Sequence, residues 1–376
     1  MINILIISHE PLNPSLKDMY CIDDLKLKFN VEFLSLRSFF YKKNEFHYND
    51  ELINEFKDFS NIFKFRKYIS RFSLKNTYVF LENSSIHLSS LLVDYIIKDF
   101  KLCRYGLYQS YLSNNHLISK HTRIQKLLNL FINNNFKKFI INKFCTQKFL
   151  LVFASGSIKP LINCKKFISL NSTILSNEKL DNEIIDSNYV LFIDQGYPTH
   201  PDILNLGFHT KNEFDFIKSY NRFFDFIEKK YSTKVVIAKH PKSSVNNNYF
   251  AGREVYVNRT KELILNSKFV IAHSSLINLY AVFNYKKILL IYNTELKLFP
   301  TNTYSHMQEF SKMLDLALIN IEDETDYSKI DLSINKLKYD LFIKKYIYIN
   351  NEPNYKIITN SIISDYNLTG SKNKNT

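Results

Sequence analysis

Residues 189–202 read YVLFIDQGYPTHPD, and the way this stretch is parsed decides the fold. Its first five residues, YVLFI, have the length and the aromatic and β-branched content of a strand buried on both faces. The run stops on Asp194, Gln195 and Gly196, with Pro198, His200, Pro201 and Asp202 close behind. The whole chain has only 6 glycines and 8 prolines, so their gathering here marks a tight turn at a strand end. Three further runs repeat the pattern: KVVIAKHP (234–241), KFVIAH (268–273) and KILLIYN (287–293). Between them lie helical stretches. Residues 211–231 put Phe214, Ile217, Phe224 and Ile227 on one side; TKELILNS begins with Thr260 as the expected N-cap; SSLINLYAVFNYK is read as a helix starting at its serines. EVYV adds a short strand. Strands alternating with helices predict a doubly wound α/β unit around a parallel sheet.

The same alternation runs through the first half. NILIIS (3–8), VEFLSL (31–36), TYVFLE (77–82), CRYGLYQS (103–110) and LLVFAS (150–155) read as strands. DLKLKF, residues 83–100 and residues 117–148 read as helices. Residues 165–188 are polar without sustained period and read as the connection between domains. The expected fold class is therefore α/β with two doubly wound, Rossmann-like domains and a C-terminal helical segment. The expected boundaries are 1–175 for an acceptor-binding domain and 176–345 for a nucleotide-sugar domain. A helix over 346–366 is expected to pack back, and 367–376 to form a disordered tail.

Composition narrows the class. At 376 residues, with 45% apolar and 23% charged residues, the chain can bury two cores and is not a disordered sequence. Its four cysteines, Cys21, Cys103, Cys145 and Cys164, lack metal or disulfide spacing and read as reduced thiols. MINILIISHE is too short an apolar run for a secretory core, and no run has membrane-spanning length. The 50 basic against 36 acidic residues leave a net charge of +14. The basic residues are dispersed and no RNA-binding signature is present, so a membrane-surface enzyme handling anionic material is favoured over nucleic acid, with a merely basic cytosolic protein as the other reading. No GxGxxG follows any strand, which argues against a dinucleotide enzyme.

In doubly wound sheets, ligands bind outside the carboxyl ends of the strands. Three consecutive strand ends carry polar groups there: Asp194 with Gly196, His200 and Asp202; Lys239, His240, Pro241, Lys242, Ser243 and Ser244; and His273, Ser274 and Ser275. Asp194 can deprotonate an acceptor hydroxyl or attack an anomeric carbon, or it can be a turn aspartate; Asp202 is an equal candidate for the reactive carboxylate. His240 can donate to or protonate a leaving phosphate, and Lys239 and Lys242 favour an anion beside it. Ser274 and Ser275 offer hydroxyls and backbone N–H groups to a phosphate, or simply cap a helix. No paired acids stand at a strand end to hold a divalent metal. The acidic run EDETD (322–326) reads as solvated surface.

The motifs FIDQGYPTHPD, VVIAKHPK and AHSSLINLYAVFNYKKILLIY resemble those of bacterial GT-B-type glycosyltransferases that use cytidine monophosphate-activated ulosonic acids. These are the Kdo, sialic, legionaminic and pseudaminic acid transferases of surface-polysaccharide assembly (O-antigen, capsule, lipooligosaccharide). The resemblance covers roughly the hundred residues from 189 to 293. It implies that His240 and Pro241 contact the cytidine nucleotide, Ser274 and Ser275 its phosphate, and that Asp194 is the catalytic carboxylate. Lys239, Lys242 and Gly196 would complete the donor site, with His240 and Asp202 as further catalytic candidates. Where sialyltransferases usually hold two acids before the glycine, this chain has Asp-Gln-Gly, which leaves inversion or retention open. The implied partners are a CMP-sugar donor, a glycan or lipid-linked acceptor and the inner membrane surface, with no cofactor, no metal and no nucleic acid. The implied location is cytoplasmic, peripheral at the inner face of the membrane. Two alternatives stay open: another nucleotide-sugar or CDP-polyol phosphate transferase of cell-surface polymer synthesis, and a non-catalytic membrane-associated partner that keeps the fold.

Overall fold

The alternation of apolar runs with amphipathic stretches folds, as the sequence predicts, into two parallel sheets of Rossmann-like type. The computed structural model describes residues 1–40, 50–81, 90–106, 149–157, 164–175, 188–197, 213–240, 243, 247–298, 303–347 and 350–372. The chain divides into two units, Met1–Ser176 together with Tyr348–Thr376, and Asn177–Ile347. The helix expected over 117–148 and the candidates His200, Asp202, Pro241, Lys242 and Ser244 lie outside the described residues.

In the first unit the strands are β1 (Asn3–Ser8), β2 (Asn30–Ser35), β3 (Phe56–Asp58), β4 (Thr77–Leu81), β5 (Lys101–Gly106), β6 (Phe149–Ser155) and β7 (Cys164–Leu170). They form one seven-stranded sheet in the order β3-β2-β1-β4-β5-β6-β7. Every pairing is parallel. Successive side chains on a strand point to opposite faces, so each continuous apolar run feeds two cores. Ile4, Ile6, Tyr78, Phe80 and Phe153 lie in one, and Leu5, Ile7, Val79, Leu81 and Val152 in the other.

β7 corrects the sequence reading, which placed a connection from residue 165. CKKFISL is an edge strand with Lys165 and Lys166 exposed, so its apolar alternation is broken by the charges that keep an edge from pairing further. β3, another short edge strand, has no periodicity long enough to read.

The C-terminal segment also differs from expectation. Residues Lys336–Phe342 form an α-helix that continues as a π-helical turn, Ile343–Ile347, within the second unit. A separate helix, Asn354–Lys372, runs past residue 367, where a disordered tail was expected. Ile358 and Ile362 of this helix enter the core formed by Ile4, Ile6 and Phe80, so the end of the chain seals a face of the first unit. Polar contacts fix its register. The Tyr78 hydroxyl donates to Asp365 Oδ2 at 2.9 Å, and Lys101 Nζ lies 3.1 Å from that hydroxyl and 3.4 Å from the carboxylate. Asn354 Oδ1 accepts from the Asn171 N–H at 2.9 Å, and its Nδ2 donates to the Asn171 carbonyl at 2.9 Å.

The second unit contains β8 (Tyr189–Ile193), β9 (Lys234–Lys239), β10 (Val255–Val257), β11 (Val270–Ala272), β12 (Ile288–Tyr292) and β13 (Leu318–Asn320). Their order is β10-β9-β8-β11-β12-β13, again with parallel pairing throughout. Counting strands from β8, this is the order 3-2-1-4-5-6 of dinucleotide-binding folds, whose direction reverses between β8 and β11. Thr260 is the first residue of the helix Thr260–Asn266 and not its N-cap; Arg259 takes the cap position without a side-chain capping bond, its guanidinium donating to Glu262. Within EDETD, Asp326 is buried and its Oδ2 accepts from the Asn320 N–H at 3.0 Å, so this acid shapes the turn after β13.

Replacing Asp365 by Ala leaves the buried Tyr78 hydroxyl and Lys101 without their shared acceptor. The expected loss is about 1–3 kcal/mol, read by urea unfolding, with Asp365→Asn retaining part of it.

Candidate functional site

The site is built at the carboxyl ends of β8, β9 and β11. β8 pairs with β9 through Ile193↔Ala238 and with β11 through Ile193↔Ala272. One residue further, the parallel register sets Asp194, Lys239 and His273 side by side on three adjacent strands. This is the reversal point of the strand order, where the loops diverge and leave a crevice.

Asp194 is 5% exposed. Its N–H continues the ladder by donating to the Ala238 carbonyl at 2.9 Å, and its Oδ1 accepts from the Gly196 N–H at 2.8 Å. Oδ2 makes no well-formed hydrogen bond among the described residues. Burial therefore raises the carboxyl above its ordinary value, partly offset by the Gly196 and His240 N–H groups, the Ser243 hydroxyl and the Lys239 charge.

Gly196 explains why a glycine-poor chain places one here. Its φ is +69°, a left-handed conformation that side chains disfavour. A Cβ at this position would stand 3.1 Å from the Ser243 Cβ and 3.3 Å from the Ser243 Cα. The turn after β8 thus packs directly against the turn after β9, where the Ser243 N–H donates to the His240 carbonyl at 2.9 Å. Lys239 and His240 are half-buried in this second turn.

His273 is 1% exposed. Its Nε2 lies 2.7 Å from the Tyr220 hydroxyl, and its Nδ1 has no hydrogen-bond partner among the described residues. Burial pushes the imidazole down to about 3, so the ring is neutral at physiological pH. Phe192, Tyr197 and Tyr220 meet it edge-on, with centroids 5.6, 5.5 and 5.6 Å away.

Asp194 and His273 share a pocket of about 350 Å³, open mouth included, whose walls include Tyr197, Phe216, Tyr220 and Tyr249. The helix Glu213–Tyr231 supplies Phe216 and Tyr220, and the 3₁₀ turn Asn247–Phe250 supplies Tyr249. Arg253 holds that turn to the helix, reaching Glu228 Oε2 at 2.8 Å and Asn221 Oδ1 at 3.0 Å, while Asn221 Nδ2 donates to the Tyr249 carbonyl at 2.7 Å.

Ser274 and Ser275 are half-buried in the turn after β11, but the helix that follows begins only at Asn278 and ends at Phe283. Its N-terminus lies beyond the serines, so what they present to an anion is their hydroxyls and turn backbone. The buried Asn278 braces this turn by donating from Nδ2 to the His273 carbonyl at 2.7 Å. The structure thus gathers Asp194, Gly196, Lys239, His240, His273, Ser274 and Ser275 at one sheet edge. The aromatic wall was not legible in sequence: Phe216 and Tyr220 have ordinary core spacing, and Tyr249 lies in a polar stretch. The pairing of Tyr220 with His273 depends on contacts 53 residues apart.

Gly196→Ala is expected to cost about 1–2 kcal/mol from the left-handed backbone alone, with Ser243→Gly recovering only the crowding added to it; thermal unfolding of the two variants separates the terms. A second expectation concerns pH. An unfolded histidine takes up a proton near 6.5, whereas folded His273 does so only near 3, so its contribution falls as pH drops from about 6.5 towards 3. Asp194 acts oppositely: its stabilising contribution is complete below the unfolded value of 3.8 and is lost as pH rises through its elevated folded value. Melting temperatures between pH 4 and 7 should decline less steeply with acid in His273→Gln than in the parent.

No protein-family model matches the chain, and no curated protein does. Solved structures do match. The spinosyn forosaminyltransferase SpnP aligns over 97% of this chain and 99% of its own, at 9% identity and a TM-score of 0.53. A variant of the wall teichoic acid polymerase TagF aligns over 98% of this chain and 90% of its own, at 8% identity and a TM-score of 0.52. A UDP-GlcNAc 2-epimerase from Methanocaldococcus jannaschii, solved with UDP-GlcNAc and UDP, aligns over 96% of this chain and 99% of its own at 10% identity, with a TM-score of 0.48. Identities this low speak to the fold: the chain has two doubly wound Rossmann-like units of the GT-B type.

Proposed function

We propose that the chain is a glycosyltransferase that passes a sugar from a nucleotide donor to a hydroxyl of a glycan acceptor, with Asp194 as the catalytic carboxylate. The observation that carries this reading is the state of Asp194. It stands at the strand-order reversal of the second unit, buried, with Oδ1 fixed by the Gly196 N–H and Oδ2 making no well-formed hydrogen bond among the described residues. A buried carboxylate with a raised proton affinity and an oxygen without a well-formed hydrogen bond among the described residues suits a general base. In this scheme the acceptor O–H gives its proton to Asp194 Oδ2 as the acceptor oxygen bonds to the anomeric carbon. The bond from that carbon to the donor phosphate breaks, and the nucleotide leaves with the electron pair. Neutral His273 lends no charge to the pocket, so among the described residues the positive groups assigned to the leaving phosphate are Lys239 and, in its protonated form, His240.

The donor class we propose is a cytidine monophosphate-activated ulosonic acid. Support for it comes from the motifs around Asp194, His240 and Ser274-Ser275, two of them on turns packed together at Gly196 and Ser243. Such donors carry both a sugar carboxylate and a phosphate, in keeping with a chain of net charge +14. Binding of the nucleotide without a metal, and an acceptor carried on a lipid-linked glycan, belong to the same proposal.

Asp194→Asn is expected to lower transfer at least 10³-fold while the melting-temperature rise given by cytidine monophosphate persists. Relative to the parent, the same substitution should raise the melting temperature increasingly as pH climbs through the elevated Asp194 value, because it removes a carboxylate that burial disfavours. A panel of cytidine monophosphate-ulosonic acids, uridine diphosphate-sugars and a cytidine diphosphate-polyol, followed by mass spectrometry of product, reads the donor class. Turnover with either of the last two reassigns the donor, and a glycosyl adduct on the Asp194 peptide reassigns the carboxylate as nucleophile. Undiminished transfer by Asp194→Asn overturns the catalytic role.

A further inference from the structure

The first unit carries a surface that the transfer reaction does not use. The helix Ile62–Ile69 and the turn after it read IFKFRKYISRFSLK over residues 62–75. Phe65 and Ile69 face the core, as their four-residue spacing dictates. Phe63, Lys64, Lys67 and Arg71 lie on the opposite face, all exposed, with Arg66, Leu74 and Lys75 exposed beside them. Phe63 keeps 75% of its surface in water and Leu74 49%.

Its charge surroundings are equally one-sided. Residues 59–81 contain no acid, and Lys64, Arg66, Lys67, Arg71 and Lys75 form no ion pair among the described residues. Some other cations on this unit are matched: Lys17 and Lys26 hold Glu55, and Lys57 holds Glu32. Arg71 instead lies over the Tyr68 ring, its guanidinium carbon 5.3 Å from the centroid. The adjoining helix Ser90–Ile97, packed on the same sheet face, adds exposed Leu92 and Tyr95, with Lys98 Nζ 4.4 Å from the Tyr95 centroid. That helix carries Asp94, and Asp99 follows its end.

We infer that the face built from Phe63, Lys64, Lys67, Arg71 and Leu74 docks on an anionic lipid surface, with Phe63 entering the headgroup boundary and the cations meeting lipid phosphates. Unpaired cations around a protruding aromatic ring match that partner on two counts. The charges find a fluid array of anions, and the ring finds an apolar layer just beneath it. No helix among the described residues is long and apolar enough to cross a membrane, so contact of this kind would be peripheral. The inference does not depend on the donor or on transfer, because docking needs neither.

The test uses the full chain and sedimentation with vesicles of phosphatidylcholine alone or with 30% phosphatidylglycerol. Binding is expected only with the anionic lipid and is expected to fall steeply as salt rises. Lys64→Glu/Lys67→Glu/Arg71→Glu should weaken partition by 100-fold or more, taking about fivefold for each charge removed. Phe63→Ser should weaken it by about tenfold with little change in salt dependence. Lys229→Glu/Lys230→Glu, on an exposed helix end of the other unit, should leave it unchanged, and circular dichroism checks that all variants fold. Equal partition to neutral and anionic vesicles overturns the inference, as does full binding by the triple variant. Binding to a single-stranded oligonucleotide that the triple variant loses, with no binding to vesicles, also overturns it and assigns the face to nucleic acid.

Discussion

The last rung of the β8–β9 ladder, from the Asp194 N–H to the Ala238 carbonyl, sets what the second unit can do. It keeps Asp194 in strand register while the chain is about to turn away, so the carboxylate is delivered from rigid backbone and not from a loose loop. The same register brings Lys239 alongside on one flank and His273 on the other. From there the constraint spreads. Gly196 must be a glycine because its turn folds back onto Ser243, and His273 must be neutral because three aromatic rings enclose it. A buried carboxylate kept next to an uncharged imidazole is a costly arrangement, and such local cost is typical of sites shaped for chemistry.

The pocket below Asp194 owes its form to elements distant in sequence. The aromatic face of the helix Glu213–Tyr231 reads as core, and most of it is: Phe223, Phe224 and Ile227 are fully buried. Only the first turns of that helix rise high enough beside β8 to put Phe216 and Tyr220 in the pocket wall. Arg253, 7% exposed at its side chain, then binds the Asn247–Phe250 turn to the same helix through Glu228 and Asn221. A buried arginine bridging two elements is better understood as a positional tie than as a stabilising charge pair, since desolvation offsets much of its Coulomb gain.

Much of this was legible in the sequence where burial is two-sided. Fully buried parallel strands have nowhere to place a polar residue, so YVLFI and ILLIY announce themselves, and their polar termini mark the functional edge. Legibility failed where one face meets solvent. The edge strands β3 and β7 carry lysines that erase the apolar pattern, and a polar reading of residues 165–170 followed from it. It failed again at helix ends, because Thr260 and Ser274 are both residues that cap helices, yet the helices start at Thr260 itself and at Asn278. Capping chemistry fixes the kind of boundary more firmly than its position. The share of the site contributed by Tyr220 and Tyr249 rests on tertiary packing that no local pattern encodes.

The helix Asn354–Lys372 belongs to the first unit although the whole second unit precedes it in the chain. During synthesis, Ile4, Ile6, Tyr78 and Phe80 therefore emerge before the second unit and wait for Ile358 and Ile362, which follow it. The second unit, continuous in sequence, can close its core while the first is still missing a wall. The usual N-to-C order of domain completion is thus inverted. For this interval the nascent chain exposes an apolar sheet face, which makes its birth, and not its mature state, the stage at which it most needs protection from aggregation.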